Sequence, residues 1–450
     1  FTASPLPGAT QGLAVYQNGV RINEPFGDAV NWDLIPSNAI DQAAIVTNNP
    51  AFGLNALGGA LSLRMKNGFT FKGFETDIRL GSFGRKQAGM QYGLEVGPWA
   101  AYVAAETISD NGWRRQGGSE IRRVFGDIGW RGQGVEVYLN VAGAVNRFGA
   151  AATTPVQMLN QDWGAIYTNP QTTRNAMKAA NLTGTWDASS TLKFAGNLYV
   201  RSFDRRTVDG NVAEIEPCSR RATNPLFGLA CLDDDAFPAG IAKTNFVLRD
   251  RNGNPIPFSI FGGGLAGSID RTNTRSIAYG GSLQATHEDK IGGFNNKLVV
   301  GGSLDLSRVD FSGNSELGVI GPDLTVRGLG VIYHTLVNGG VSEVGLGVRN
   351  TYAGVYALDT LDVTDRWSMT AGGRVNYARV ALTDKLGTAL NGTSSFTRFN
   401  PIIGTTYKLL PTLTAYAGYS EANRAPTPLE LGCADPAAPC LIDNFLTDRK

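Results

Sequence analysis

The sequence has little charge and no long apolar run. No stretch of roughly 18 consecutive apolar residues occurs, which excludes a protein that crosses a membrane with helices. Charged residues make up 18% of the 450 residues, below the ~25% of an average soluble domain, and the formal net charge is only +1. This balance argues against a nucleic-acid surface built from bulk basicity, and also against an acidic disordered chain.

Histidine and cysteine are also scarce. The chain has two histidines and four cysteines, and the cysteines form two close pairs: Cys218 with Cys231, and Cys433 with Cys440. Neither pair has the two-residue spacing of a zinc knuckle. We therefore predict two local disulfides, formed in an oxidising compartment, and no metal site.

Glycine, in contrast, is abundant. The sequence holds 57 glycines, about 13% of the chain against a usual ~7%. The absence of a G-X-Y period excludes collagen, and the 42% hydrophobic content excludes wholesale disorder. Residues 262–267 formally match a dinucleotide fingerprint, but no strand–helix unit surrounds them, so we interpret them as part of a long link.

From about residue 72 onward, apolar and polar residues alternate with a period of two. In one run, apolar and small residues occupy the odd positions from Trp367 to Tyr377, and polar residues occupy most even positions. Soluble strands average ~5–6 residues, whereas these runs reach the ~9–11 residues that a membrane-spanning strand needs. The two aromatic residues lie roughly 23 Å apart along the membrane normal, close to the ~25 Å apolar band of a barrel. The pattern predicts an antiparallel membrane β-barrel.

The links between the runs agree with this prediction, because tight links alternate with long ones. The tight links are 96–98, 131–134, 187–190, 288–293, 364–366 and 409–411; the long ones are 109–120, 147–178, 207–273, 312–349 and 383–395. Outer-membrane barrels combine short periplasmic turns with longer extracellular loops. The segmentation predicts about 13 strands, an odd number that does not close a bacterial barrel, so we expect further strands beyond this chain.

The first 70 residues follow a different pattern. A strand, an Asn18-Gly19 turn and a second strand predict a tight hairpin, and a short glycine-rich stretch leads into a strand that ends near Lys66. This is a small α/β piece, too short to be stable alone. We therefore divide the chain into residues 1–70 and a barrel segment, residues 71–450.

Two sets of motifs carry a resemblance to a known family. Residues 15–22, residues 55–60 and Lys66 resemble the second half of the plug of a TonB-dependent outer-membrane receptor. Residues 399–407 and 416–431 resemble that family's late barrel signature, in the right order and at a barrel-length interval. The resemblance implies a barrel of about 22 strands closed by a plug, of which this chain holds the C-terminal half of the plug and the first part of the barrel. The TonB box would precede residue 1.

One departure from the family pattern limits what can be carried over. Family plugs commonly carry an Arg-Ile-Glu-Val stretch before an Arg-Gly-Pro, and this chain has residues 42–50 with a different sequence there. The charged plug-to-barrel contacts credited to those family residues are therefore not assigned here.

The resemblance implies a receptor that imports a scarce ligand, most often a ferric siderophore, across the outer membrane of a Gram-negative bacterium. Its partners would be TonB, which supplies the energy, the small chelate and outer-membrane lipid, but not nucleic acid. No enzymatic activity and no cofactor are expected. The alternative is a passive porin or a surface adhesin, and the N-terminal block argues against a porin, which needs no globular piece before its first strand.

Candidate ligand-binding residues lie in two places. Residues 23–33 combine aromatic with polar side chains, the usual composition of a small-ligand site; the candidates are Asn23, Glu24, Phe26, Asp28, Asn31 and Trp32. The long links add Trp113, Arg114, Arg115, Trp163 and Tyr167. The competing interpretation is packing: the aromatic residues of the first group would wedge the plug against the barrel wall, and the second group would be ordinary loop residues.

Other candidate constellations are weaker. His287 and His334 have no nucleophile at motif spacing, and residues 233–235, three consecutive aspartates, lack the spacing of a calcium loop. We interpret all of them as solvated side chains.

Overall fold

The computed structural model describes residues 12–47, 49, 52, 55–149, 153–235 and 237–433. In these ranges the chain forms a four-stranded sheet, a large antiparallel sheet and a two-stranded sheet. Cys440 lies outside the described residues, so the predicted pairing of Cys433 with Cys440 stays a prediction.

The four-stranded sheet is built by the first part of the chain. Its strands are β1 (Leu13–Gln17), β2 (Val20–Arg21), β3 (Ile40–Val46) and β4 (Gly59–Met65), in the order β2-β1-β4-β3. The predicted hairpin is present: Asn18 and Gly19 both have positive φ, 46° and 80°, which a tight turn between β1 and β2 requires. Two 3-10 turns, Trp32–Leu34 and Ser37–Ala39, lead from the hairpin to β3. Val15, Ile22 and Leu63 form the core of this unit.

The large sheet is an antiparallel meander. Its first strands are β5 (Gly73–Leu80), β6 (Lys86–Val96), β7 (Trp99–Asp110), β8 (Ser119–Gly132), β9 (Val135–Gly149), β10 (Gln171–Asp187) and β11 (Leu192–Val212). It continues with β15 (Leu265–Ile291), β16 (Phe294–Ile320), β18 (Val344–Thr364), β19 (Trp367–Asp384), β20 (Gly392–Leu410) and β21 (Leu413–Ser420). These 13 strands pair in chain order, with β5 and β21 at the edges, which confirms the predicted number.

The predicted tight links are all present, but the long links are shorter than the sequence suggested. β15 and β16 each run for 27 residues, far more than a membrane requires. The long link predicted at 207–273 contains β12 (Ile215–Pro217), β13 (Ala230–Leu232) and β14 (Arg249–Asp250), and the one at 312–349 contains β17 (Val326–His334). Above the membrane a strand no longer needs an apolar face, so its alternation fades while its hydrogen bonds continue.

The alternation itself is confirmed along β19. Trp367, Met369, Val375 and Tyr377 are between 37% and 40% exposed, while Arg374 and Asn376 on the other face are buried. The apolar side chains therefore point outward, away from the interior that the sheet encloses.

Helices are few and short in the described ranges: α1 (Val156–Gln161), α2 (Pro428–Leu431), and the 3-10 turns Lys243–Asn245 and Phe258–Phe261. None of them is long and apolar enough to cross a membrane. Above β11 and β16, a separate apolar core gathers around Phe246, Leu248 and Leu317. Cys218 and Cys231 form a disulfide at the edge of this core, the pairing expected from their spacing.

Candidate functional site

The large sheet curves around the four-stranded unit, residues 12–66, which we call the plug. Side chains from opposite parts of the wall bond to it. Ser37 donates to Glu106 of β7 over 3.1 Å, and Asn350 of β18 donates to the Pro25 carbonyl over 2.9 Å. The plug therefore occupies the interior that a channel would use.

The plug spans two levels of the wall. At the hairpin, Asn18 donates to Asn140 over 2.8 Å and Asn197 donates to the Gly19 carbonyl over 3.3 Å. Both wall residues follow closely on tight turns, which lie on the periplasmic side in barrels of this kind. At the other level, Asn146 near the end of β9 donates to Asp33. Residues 23–33 therefore lie toward the extracellular end.

The polar candidates in residues 23–33 are occupied by bonds within the protein. The Asn23 side chain accepts from the Val15 amide over 2.9 Å and donates to the Leu13 and Asp28 carbonyls, each over 3.0 Å. Glu24 accepts from two backbone amides of its own turn, each over 2.9 Å. These groups fix the shape of the turn and offer little to a ligand.

Charge within this turn is also internally balanced. Asp28 forms an ion pair with Arg21 and accepts from the Asn55 side chain over 3.3 Å. Burial raises the pKa of Glu24 above its ordinary value, and the two backbone donors partly oppose that shift. The turn is a rigid, buried element of the plug.

The two aromatic candidates in this segment have different environments. Phe26 is 6% exposed and stacks on Phe311 of β16 with ring centroids 4.9 Å apart. Trp32 is 48% exposed. Asn31, between them, accepts from Arg205 of β11 over 2.6 Å. Phe26 therefore wedges the plug against the wall, as the packing interpretation held, whereas about half of the Trp32 side chain stays exposed.

Two arginines of the wall contact the plug, and the sequence did not predict these contacts. Arg201 donates to the Ile22 carbonyl, and Arg123 donates to the Asp33 and Ile35 carbonyls, the latter over 2.5 Å. Their place on the inward face of β11 and β8 follows from the period of two, but their acceptors are backbone atoms that no sequence pattern reveals.

A cavity lies between the turn and the wall. Arg21, Glu24 and Asp28 line it from the plug, and it is bounded on the wall by residues including Tyr199, Arg201, Phe203, Asp305, Ser307 and Tyr352. Tyr199 donates to Asp305 over 2.7 Å across this wall.

A segment after β21 folds back over the same turn. Ala425 donates its backbone N–H to Asn55 over 3.0 Å, and the Leu429 amide donates to the Phe26 carbonyl over 3.3 Å. The helix α2 is held by a capping box at Thr427 and by a bidentate pair in which Arg424 donates to Glu430, 2.7 Å in each bond. We call residues 421–433 the strap.

Two of the links that carry loop candidates meet, the one at 113–115 and the one at 162–164. The Arg115 amide donates to the Gly164 carbonyl over 3.0 Å, and the Arg115 side chain forms an ion pair with Asp162. Arg114 lies 4.8 Å from the ring centre of Trp113. Trp113 and Trp163 on these links are exposed, and so is Tyr167 further along the second link.

The three aspartates at 233–235 lie within 4.8 Å of one another through their carboxylate oxygens. Lys243 forms an ion pair with Asp234 over 3.1 Å. We maintain the interpretation of solvated loop charge for this cluster.

The sequence matches the family model described as TonB dependent receptor-like, beta-barrel, over residues 112–439. The match covers more than half of the chain, so the chain belongs to the TonB-dependent receptor family. Members of this family are outer-membrane proteins of Gram-negative bacteria, and they are receptors and transporters rather than enzymes. No curated protein sequence matches the chain.

Solved structures share the fold at low sequence identity. The ferric-catecholate import receptor Fiu of E. coli K12, in its open form, has a TM-score of 0.66 and 12% identity, covering 93% of this chain and 64% of its own. The siderophore receptor PiuA of Acinetobacter baumannii has a TM-score of 0.64 and 12% identity, and the match covers 91% of this chain and 57% of PiuA. The ferric yersiniabactin uptake receptor FyuA of Yersinia pestis has a TM-score of 0.61 and 12% identity, and the match covers 90% of this chain and 55% of FyuA. The chain thus spans less than two thirds of the length of these receptors.

Proposed function

We propose that this chain is part of an active outer-membrane importer whose plug must be moved by TonB before a bound ligand can pass. The observation that carries the proposal is the plug inside the curved sheet, bonded to the wall at both levels. A blocked interior is unsuited to passive diffusion, which argues against the porin alternative. In this proposal residues 1–70 belong to the plug and residues 71–450 to the barrel.

The proposed cargo is a ferric siderophore. Fiu, PiuA and FyuA carry names that assign them such ligands, and the fold is common to all three. The exposed aromatic and basic side chains of this chain suit an anionic aromatic chelate, because an indole ring offers stacking surface and a guanidinium offers charge-assisted hydrogen bonds. Within the candidate set, we assign first contact to Trp32 and to the group around Trp113, Arg114, Trp163 and Tyr167.

The proposal is tested by locking the plug to the wall. Asn18 and Asn140 are in direct side-chain contact, so Asn18→Cys with Asn140→Cys should form a disulfide between the plug hairpin and β9. We expect the oxidised receptor to bind ferric siderophore normally but to lose energised uptake of 55Fe, and a reductant should restore it. The two single cysteine variants are the matched controls.

Two results would contradict the importer. Uptake by the locked receptor at the rate of the reduced protein would show that the plug need not move. Uptake that continues unchanged in cells lacking TonB would favour passive entry. An adhesin differs from an importer and from a porin in that it would show no ligand uptake even without the disulfide lock.

A further inference from the structure

The strap, residues 421–433, is attached to the barrel wall. It follows directly on β21, so it is covalently continuous with the large sheet. The Asn423 side chain also accepts from Asn376 of β19 over 3.0 Å and from Asn400 of β20 over 2.7 Å. Both of these wall residues are buried. The start of the strap is therefore fixed to three neighbouring strands.

The same strap is bonded to the plug in two places. The Ala425 amide donates to the Asn55 side chain, and the Leu429 amide donates to the Phe26 carbonyl. Ala425 and Asn55 are each only 2% exposed. Leu429 and Leu431 pack against the apolar cluster around Phe26. The strap thus joins the plug to the wall, near the extracellular end of both.

Asn55 extends the connection into the interior of the plug. Its side chain accepts from Ala425 and donates to Asp28 over 3.3 Å, and Asp28 forms an ion pair with Arg21 of β2. A continuous series of polar contacts therefore leads from the strap to the hairpin. Asn55 has φ of 52°, a left-handed conformation in which asparagine is enriched, so this residue type suits both the backbone and the two hydrogen bonds.

The strap is held together as one folded unit. The Glu430 carboxylate accepts two hydrogen bonds from Arg424 and a third from the Thr427 amide over 2.7 Å. The Thr427 side chain in turn accepts from the Glu430 amide over 3.2 Å, which completes the capping box of α2. Because its contacts to the plug belong to one closed unit, we expect them to form and to break together.

The strap also borders the cavity between the turn and the wall. Thr427 and Pro428 line this cavity, together with Arg21 and Asp28 of the plug. Lifting the strap would therefore remove part of the cavity lining as well as the hydrogen bond to Asn55.

We propose that the strap is a latch that holds the plug against the wall from the extracellular side, and that Asn55 is the residue that positions it. The strap stays with the wall when the plug moves, since it continues from β21, so its bonds to Asn55 and Phe26 have to break first. The inference rests on the proposed importer function, in which the plug has to move.

The first test measures in the full-length receptor whether strap and plug stabilise each other. Asn55→Gly removes both side-chain bonds but keeps the backbone conformation, since glycine adopts positive φ freely. Amide exchange should become roughly tenfold faster or more in the strap and in residues 13–22, because hydrogen bonds that join them are lost. Gln133→Gly, at an exposed turn of the wall with φ of 50°, is the matched control and should change neither segment.

Arg424→Gln tests the same coupling from the strap. It breaks the bidentate pair with Glu430 and leaves the hydrogen bonds within the plug in place. Since coupling between two parts of a molecule is reciprocal, exchange in residues 13–22 should again become faster. This variant also decides the question if Asn55→Gly does not fold.

The second test locks the strap to one neighbour or to the other. Gly27→Cys with Leu429→Cys ties it to the plug, since a Cβ at residue 27 would lie 3.6 Å from the Leu429 side chain. Asn400→Cys with Asn423→Cys ties it to the wall and is the matched control. With a 55Fe-labelled ferric catecholate as the probe, the oxidised plug lock should lose uptake and regain it in reductant, whereas the wall lock should transport normally.

Three results would overturn the latch. The first is unchanged exchange of residues 13–22 in both Asn55→Gly and Arg424→Gln. The second is uptake by the oxidised plug lock at the rate of the reduced protein. The third is an equal loss of uptake in both locks, which would show that the strap has to leave the wall. Absence of uptake by the wild type would count against the importer instead, and the exchange measurements, which need no ligand, would then decide the latch alone.

Discussion

Replacing Phe26 by alanine should loosen the plug from the barrel wall. The ring is 6% exposed, stacks on Phe311 and belongs to a buried cluster contributed almost entirely by the wall: Val309, Val344, Leu346, Val348, Val380 and Leu382. Truncating a buried phenylalanine to alanine costs about 3–5 kcal/mol, because transfer energy is lost and a cavity remains. Since Phe26 lies on the plug and its neighbours on the barrel, most of that cost should fall on docking of the plug.

Amide hydrogen exchange read by mass spectrometry measures this effect directly. Protection of residues 13–34 should fall by roughly a hundredfold or more, since about 1.4 kcal/mol corresponds to a factor of ten. The amide of Ile22, which donates to the Val15 carbonyl over 2.8 Å, is a suitable reporter. Phe227→Ala, at a residue 53% exposed, is the control and should leave the segment unchanged. Normal protection in the Phe26→Ala variant would refute the role of this side chain in docking.

Three further predictions concern other parts of the site. Trp32→Ala should weaken binding of ferric siderophore by the receptor but change the melting temperature little, because the indole is half exposed; a large loss of stability with normal affinity would assign Trp32 to packing. Replacing both Cys218 and Cys231 by serine should destabilise the apolar core above β11 by up to about 3 kcal/mol, the contribution expected for a loop of this length, and should make it more susceptible to proteases. Equal protease resistance of the variant and the wild type would contradict a stiffening role for the disulfide. Burial alone would raise the pKa of Glu430, but the hydrogen bonds from Arg424 lower it overall, so this pair should stabilise the strap at neutral pH and be lost as the pH falls below the ordinary titration range of a glutamate; cleavage of the strap by pepsin at graded acid pH should follow this loss in the wild type but not in Glu430→Gln.

The course of the strands could be predicted because lipid and water impose opposite demands on adjacent residues. Where one face of a strand meets lipid and the other meets water, as along β19, the alternation predicts the strand and which residues lie on each face. Above the membrane this constraint ends, and the sequence no longer reveals that β15 and β16 continue or that β17 pairs with β16. The lengths of the links were therefore wrong although the turns between strands were confirmed.

The site was predicted less well because its bonds join distant parts of the chain through backbone atoms. Composition singled out residues 23–33, but it could not separate Phe26, which is buried against the wall, from Trp32, which is half exposed. The hydrogen bond from Ala425 to Asn55 joins residues far apart in sequence, and no local sequence pattern at either residue predicts it.

The bonds between plug and wall differ in kind between the two levels, and this difference bears on the proposed transport. The hairpin is held by neutral amide contacts from Asn140, Asn181 and Asn197, each worth only about 0.5–1.5 kcal/mol net and replaceable by water. The upper level combines the apolar cluster around Phe26 with hydrogen bonds from the wall residues Arg123 and Arg205, and it is covered by the strap. A force applied from the periplasmic side would therefore release the hairpin before the contacts of the upper level.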